Sequence, residues 1–212
     1  IAVVKLKEAK PYLKEYYAFE TYRRNGVLAP RTNPVNMFMT VDGSKQNMGV
    51  YLAVEDIGKA FIKRNLISTS AGGDLYKLGW GSGVGAMFND ASNNLYGVEE
   101  QVKDGSNFRQ IGYTYDLKTN KKTSTHSDLI NFINGVKNTS ASSFDTFLKN
   151  NTEYDYFNKY NAIAYLLGDP DDLRGNFNNT YLYFIPNRVL TLMVLLQRKF
   201  GLFGLFLSLF LS

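Results

Sequence analysis

Residues 34–56 read PVNMFMTVDGSKQNMGVYLAVED. Two apolar, β-prone runs flank Asp42-Gly43, a dipeptide suited to the tight turn of a hairpin. Gly43 is therefore expected at positive φ, where the absence of a Cβ removes the steric penalty. Once this antiparallel pair is fixed, the flanking segments can be read against it. Residues 12–24 carry a helical pattern, with Leu13, Tyr16 and Tyr17 on one face and Gly26 as the C′ residue. Asp56 reads as the cap of a helix over 57–66, with Ile57, Ala60 and Phe61 on one side. Residues 74–80, DLYKLGW, read as a strand, and 81–107 as a loop rich in Gly, Asn, Ser and Asp. RQIGYTYDL alternates Ile111, Tyr113 and Tyr115, the period of a strand. Ser127 opens the helix SDLINFING, which Gly135 is expected to close. Residues 138–143 form a polar linker, and Ser143 starts another short helix. The longest helical pattern covers 155–167, with Phe157, Tyr160, Ala164 and Leu167 along one stripe and Gly168 at its end. A strand begins near Thr180. Helices and strands that mix in this order, without internal repeats, predict an α+β fold.

Composition narrows the function classes. The chain has 212 residues, 44% hydrophobic and 20% charged, enough for a real core in one or two domains. It has no cysteine, which excludes disulfides, thiolate chemistry and thiolate metal sites. The net charge of +5 is spread along the sequence and forms no nucleic-acid stripe. A mildly basic face suits anionic nucleotides or acidic substrates. His126 is the single histidine, too solitary for a triad or a zinc site, and is expected at the surface. The glycines of GWGSGVGAMF, 79–88, lack the GxxxxGK[ST] signature of a phosphate loop.

The two ends stand apart from this pattern. IAVVKLKEAKPY is too short and too charged for the apolar region of a secretory signal, and a chain opening on Ile reads as a fragment. From Val189 to Ser212 the sequence is VLTLMVLLQRKFGLFGLFLSLFLS, with no acid. Its two apolar runs, split by Gln197-Arg198-Lys199, fall short of the roughly 18 residues expected of a membrane span. A buried element, a membrane-associated tail and a change of coding frame are the three readings, and the third is preferred here.

The densest polar stretch is LLGDPDDLRGNFNNTYLYF, 166–184, in which Asp169, Asp171, Asp172, Asn176, Asn178 and Asn179 crowd between a helix and a strand. Asp, Asn, Gly and Pro are ordinary turn residues. A loop held by a helix at its entry and a strand at its exit is also where function tends to sit. The pattern alone leaves both readings open.

Several motifs occur together and in order: LAPRTNPVNMFMTVDG, NMGVYLAVEDIGKAFIKRNL, GGDLYKLGW, IGYTYDLKTNKKTSTHSDLINFI, SSFDTFLKN and YNAIAYLLGDPDDLRGNFNNTYLYF. From about Tyr12 to Pro186 the chain resembles the CotH-type atypical protein kinases, named for a spore-coat protein and also found on secreted and cell-surface proteins. The resemblance implies a diverged protein-kinase-like fold that binds ATP and a divalent metal, Mg2+ or Mn2+. It implies phosphoryl transfer to Ser or Thr of a coat, secreted or cell-surface protein. An adhesive or scaffold module without catalysis is the alternative. No nucleic-acid partner and no membrane span are expected.

The resemblance also suggests roles. Phosphoryl transfer needs a positioned hydroxyl and neutralised phosphate charge. Asp171 is the expected base, with Asp169 and Asp172 as alternative registers. Asn176 and Asn179 are the expected metal-side amides, with a turn network as the alternative. Lys77 is the expected phosphate cation and Glu55 its orienting carboxylate, although Glu precedes Lys here, the reverse of the usual kinase order. A surface salt bridge is the other reading of that pair. Arg31 is expected either to grip phosphate or to cap its loop. Family members usually continue past the TYLYF strand into an acidic D-x-D element, and this chain does not. The expected domain is therefore 1–186, incomplete at its C-terminus, with 187–212 as an apolar tail.

Overall fold

In the computed structural model, Asp42 (φ 50) and Gly43 (φ 78) close the hairpin between β2 (Thr32–Val41) and β3 (Ser44–Val54). Both turn residues take the positive φ expected of a two-residue turn, and Val41 pairs with Ser44 across it. The structure describes residues 2–5, 13–65, 72–79, 88, 115–168, 172–175, 179–185 and 188–193. The first strand, β1 (Ala2–Lys5), lies antiparallel on the other side of β3, giving a three-stranded sheet of order β1-β3-β2. A β-bulge between Met37 and Phe38 shifts the β2–β3 register towards the tip.

A second, four-stranded antiparallel sheet has the order β5-β4-β6-β7. Its strands are β4 (Asp74–Leu78), β5 (Tyr115–Leu117), β6 (Thr180–Ile185) and β7 (Arg188–Met193). Five of the six β6 residues are buried, because both faces of this central strand are covered. That explains why TYLYF carries no alternation of polar and apolar residues. On one face Leu75, Tyr181 and Tyr183 join Leu52 and Val54 of β3 in the main core. On the other, Tyr76, Leu78, Tyr115, Leu182 and Phe184 form a second core. The β6–β7 pairing crosses the boundary expected after residue 186, so residues 188–193 belong to the sheet.

The helices fill the two faces. They are α1 (Lys14–Arg24), α2 (Lys59–Asn65), α3 (Ser127–Asn138), α4 (Phe144–Asn151, preceded by the 3₁₀ turn Ala141–Ser143) and α5 (Tyr154–Leu167). Helices α1, α2 and α5 pack on the main core and α3 on the second, through Leu129 and Ile133. Gly168 stops α5 in the left-handed conformation (φ 66) and Gly26 follows α1 in the same region (φ 74).

Two local expectations change. Helix α1 buries Ala18, Phe19 and Tyr22, while Tyr17 is exposed. The aromatic ring of Tyr22 stacks on Tyr160 of α5, and this contact sets the rotation of the helix. Gly135 lies inside α3 rather than at its end. A Cβ there would come within 2.4 Å of the Phe147 ring, so the glycine admits α4 against α3.

Candidate functional site

Lys77 sits on β4 opposite Asp116 of β5 on one side and Tyr181 of β6 on the other. Directly paired residues share a face of the sheet, so these three side chains form one row. The row is on the face of the main core, at the edge where that core gives way to charge. Asp116 also receives an ion pair from Lys118, which follows β5 and projects to the same side two residues on. Lys77 is half-buried. Burial holds its ammonium below the usual lysine range, the Lys118 charge adds to this, and Asp116 opposes it. Tyr181 is buried, and its hydroxyl is pushed well up, first by burial and then by the charges of Asp56 and Asp116.

Glu55 is bound elsewhere. Its Oε2 accepts the Arg31 backbone N–H at 3.0 Å and Arg64 Nη2 at 2.6 Å. Its Oε1 accepts Arg31 Nη2 and Arg64 Nε, each at 3.2 Å. Burial works to raise the carboxyl, but the hydrogen bonds from Arg31 and Arg64 outweigh it and hold Glu55 below the usual glutamate range. The expected pairing of Glu55 with Lys77 is thus not formed: two arginines occupy the Glu55 oxygens, and the carboxylate facing Lys77 is Asp116. The Arg31 backbone and guanidinium both fasten the end of β2 to the end of β3. The two groups are still neighbours in the fold, because Asp56, the residue after Glu55, bears on Tyr181.

In the polar loop, Asp172 is completely buried. It accepts the Arg174 backbone N–H at 2.8 Å and Arg174 Nε at 2.9 Å. The Arg174 guanidinium also lies over the exposed Tyr165 ring, 5.8 Å from its centroid. Asp172 thereby ties the loop to itself and to the end of α5. Asn179 is half-buried in the left-handed region (φ 50), directly before the buried Thr180. Asp169, Asp171 and Asn176 lie outside the described residues, as do 80–87 of the glycine run. Among the described residues no three His, Asp or Glu side chains gather into a metal site. No described helix is long and apolar enough to cross a membrane.

His126 is half-buried, not a free surface residue. Its Nδ1 bonds the Tyr76 hydroxyl at 2.8 Å, and its φ of 58 turns the chain into α3. Ser124 donates to Asp74, and Asn120 Nδ2 donates to the other Asp74 oxygen at 2.8 Å. The imidazole binds Tyr76 rather than Ser124, so this is a polar pin between β4 and the segment before α3. The sequence signal for it was the serine, threonine and asparagine content of 119–127, which a turn explains equally well.

Two antiparallel sheets, with helices covering both faces of the larger one, define an α+β domain. Residues 6–194 match the family model described as CotH kinase protein, and the chain belongs to that family. The match continues past Pro186 through β7. A search of curated proteins finds no match.

Proposed function

We propose that this chain transfers the γ-phosphoryl group of ATP to Ser or Thr of a protein, in a coat, secreted or cell-surface setting. The observation that carries the reading is the half-buried Lys77, on a central strand of a domain in the CotH kinase protein family. A desolvated ammonium interacts with phosphate far more strongly than one in water. Lys77 is the nucleotide-binding cation in this reading. Asp171 accepts the hydroxyl proton. Asn176 and Asn179 are the oxygen donors offered to Mg2+ or Mn2+, which would neutralise phosphate charge when bound. Arg31 and Glu55 shape the neighbouring wall and do not contact the phosphates.

A non-catalytic adhesive module is the second reading. Phe38, Met39, Val41 and Val50 favour it, because they are exposed along the β2–β3 hairpin and would suit protein docking. Calorimetric titration with a non-hydrolysable ATP analogue, with and without Mg2+ or Mn2+, separates the two. Metal-dependent binding that is lost in Lys77→Met supports the kinase reading. Absence of nucleotide binding under all metal conditions leaves the adhesive module.

A further inference from the structure

We propose that Lys77 and Lys118 form a two-cation clamp for the nucleotide's polyphosphate, with Asp116 as the carboxylate that positions both ammoniums. The proposal rests on the nucleotide-binding reading above and assigns two residues that reading lacked.

The geometry comes from register. Asp116 is the direct cross-strand partner of Lys77 and the ion-pair partner of Lys118. With Asp56 as a further charge bearing on Tyr181, Lys77, Asp116 and Lys118 form a three-member group in which two ammoniums flank one carboxylate. None of its members is freely exposed: the side chains of Asp116 and Lys118 are 22% and 29% accessible. A partly buried ammonium is costly unless anions satisfy it. Burial chiefly depresses the Lys77 pKa; the Lys118 charge adds to this and Asp116 opposes it, so both groups are close enough to act on the ammonium. Tyr181 adds a hydroxyl in the same row.

An incoming phosphate would bridge the two ammoniums and relieve their repulsion. Two neighbouring phosphoryl groups would match two cations better than one would, and this favours a polyphosphate over inorganic phosphate.

The test titrates the full chain with tripolyphosphate and, separately, with a non-hydrolysable ATP analogue. Lys118→Met should weaken both ligands roughly 10- to 100-fold, the loss expected for one charged hydrogen bond. Lys118→Arg should recover part of that loss, and Lys149→Met should match wild type. Asp116→Asn removes the positioning carboxylate but not the cations. It should bind tripolyphosphate at least as tightly as wild type and lower kcat for phosphotransfer without raising KM for ATP. A purely structural role would not produce that split. Thermal melts confirm that each variant is folded.

Wild-type binding of the ATP analogue with Lys118→Met equal to Lys149→Met overturns the clamp and leaves the kinase reading intact. Lys118-dependent binding of tripolyphosphate without binding of the analogue keeps the clamp and removes the nucleotide reading. Binding of neither ligand by wild type removes both.

Discussion

Glu55 and Lys77 are both held below their usual pKa values, for opposite reasons, and in each case stability rises with pH through the window of the shift. Glu55 is held below the usual range by its arginines, so the folded state favours its charged form. Its contribution to stability is complete above the ordinary Glu value of about 4.3 and is lost as pH falls through the lower folded value. Glu55→Gln should flatten the acid limb of the stability–pH curve below about pH 4.3, read from urea midpoints. Lys77 is depressed, chiefly by burial, so the folded state disfavours its charged form. Between that lowered value and 10.5 the unfolded chain binds more protons, and stability rises with pH. Lys77→Met should be as stable as wild type or more so at pH 7, and should lose the alkaline rise. If Lys77→Met instead unfolds the domain, the residue is structural and not held for a ligand. In the polar loop, Asp172→Ala should cost about 1–3 kcal/mol in denaturant titration, because it strips a buried acceptor from the Arg174 N–H and guanidinium. Asp171→Ala should leave stability within about 0.5 kcal/mol if its side chain reaches solvent.

Helix α3 and the hairpin show what local sequence could and could not reveal about the elements. Asp42-Gly43 was legible because the turn itself demands positive φ, whatever packs around it. Gly135 was misread because glycine has two uses in a helix, ending it or admitting a neighbour, and the neighbour is Phe147 of a different helix. Gly135→Ala would gain about 1 kcal/mol of helix propensity, but overpacking against Phe147 should cost about 1–3 kcal/mol. The variant should therefore melt below wild type, and Phe147→Leu in that background should recover part of the loss. A Gly135→Ala variant more stable than wild type would mean that the ring moves aside freely. The buried face of α1 was hidden for a related reason. Tyr16, Tyr17, Phe19 and Tyr22 put aromatics all around the helix, and only the stacking of Tyr22 on Tyr160 selects a face. The partner of Lys77 was illegible because Asp116 meets it through strand pairing across a long intervening segment. The order of motifs did carry the family and the α+β class, since neither depends on which side chains meet.

At the scale of the whole molecule, the larger sheet joins the two cores and carries the lysine row, so its edge matters. Deleting 189–212 removes almost all of β7 and bares the backbone of β6. An unpaired edge of that kind invites aggregation. That variant should melt lower and precipitate, while deletion of 195–212, beyond the family match, should leave the melting temperature unchanged. Equal behaviour of the two deletions would mean that β7 contributes nothing to the sheet's stability. The central claim is that the domain moves phosphate from ATP to protein hydroxyls. The most direct measurement is transfer of labelled γ-phosphate from ATP to a Ser/Thr-rich protein, with Mg2+ or Mn2+ present, by wild type and Asp171→Ala. The account predicts transfer by wild type and a loss of about 100- to 10,000-fold in the variant. Equal transfer by the two, or none by wild type that binds the nucleotide, would contradict it.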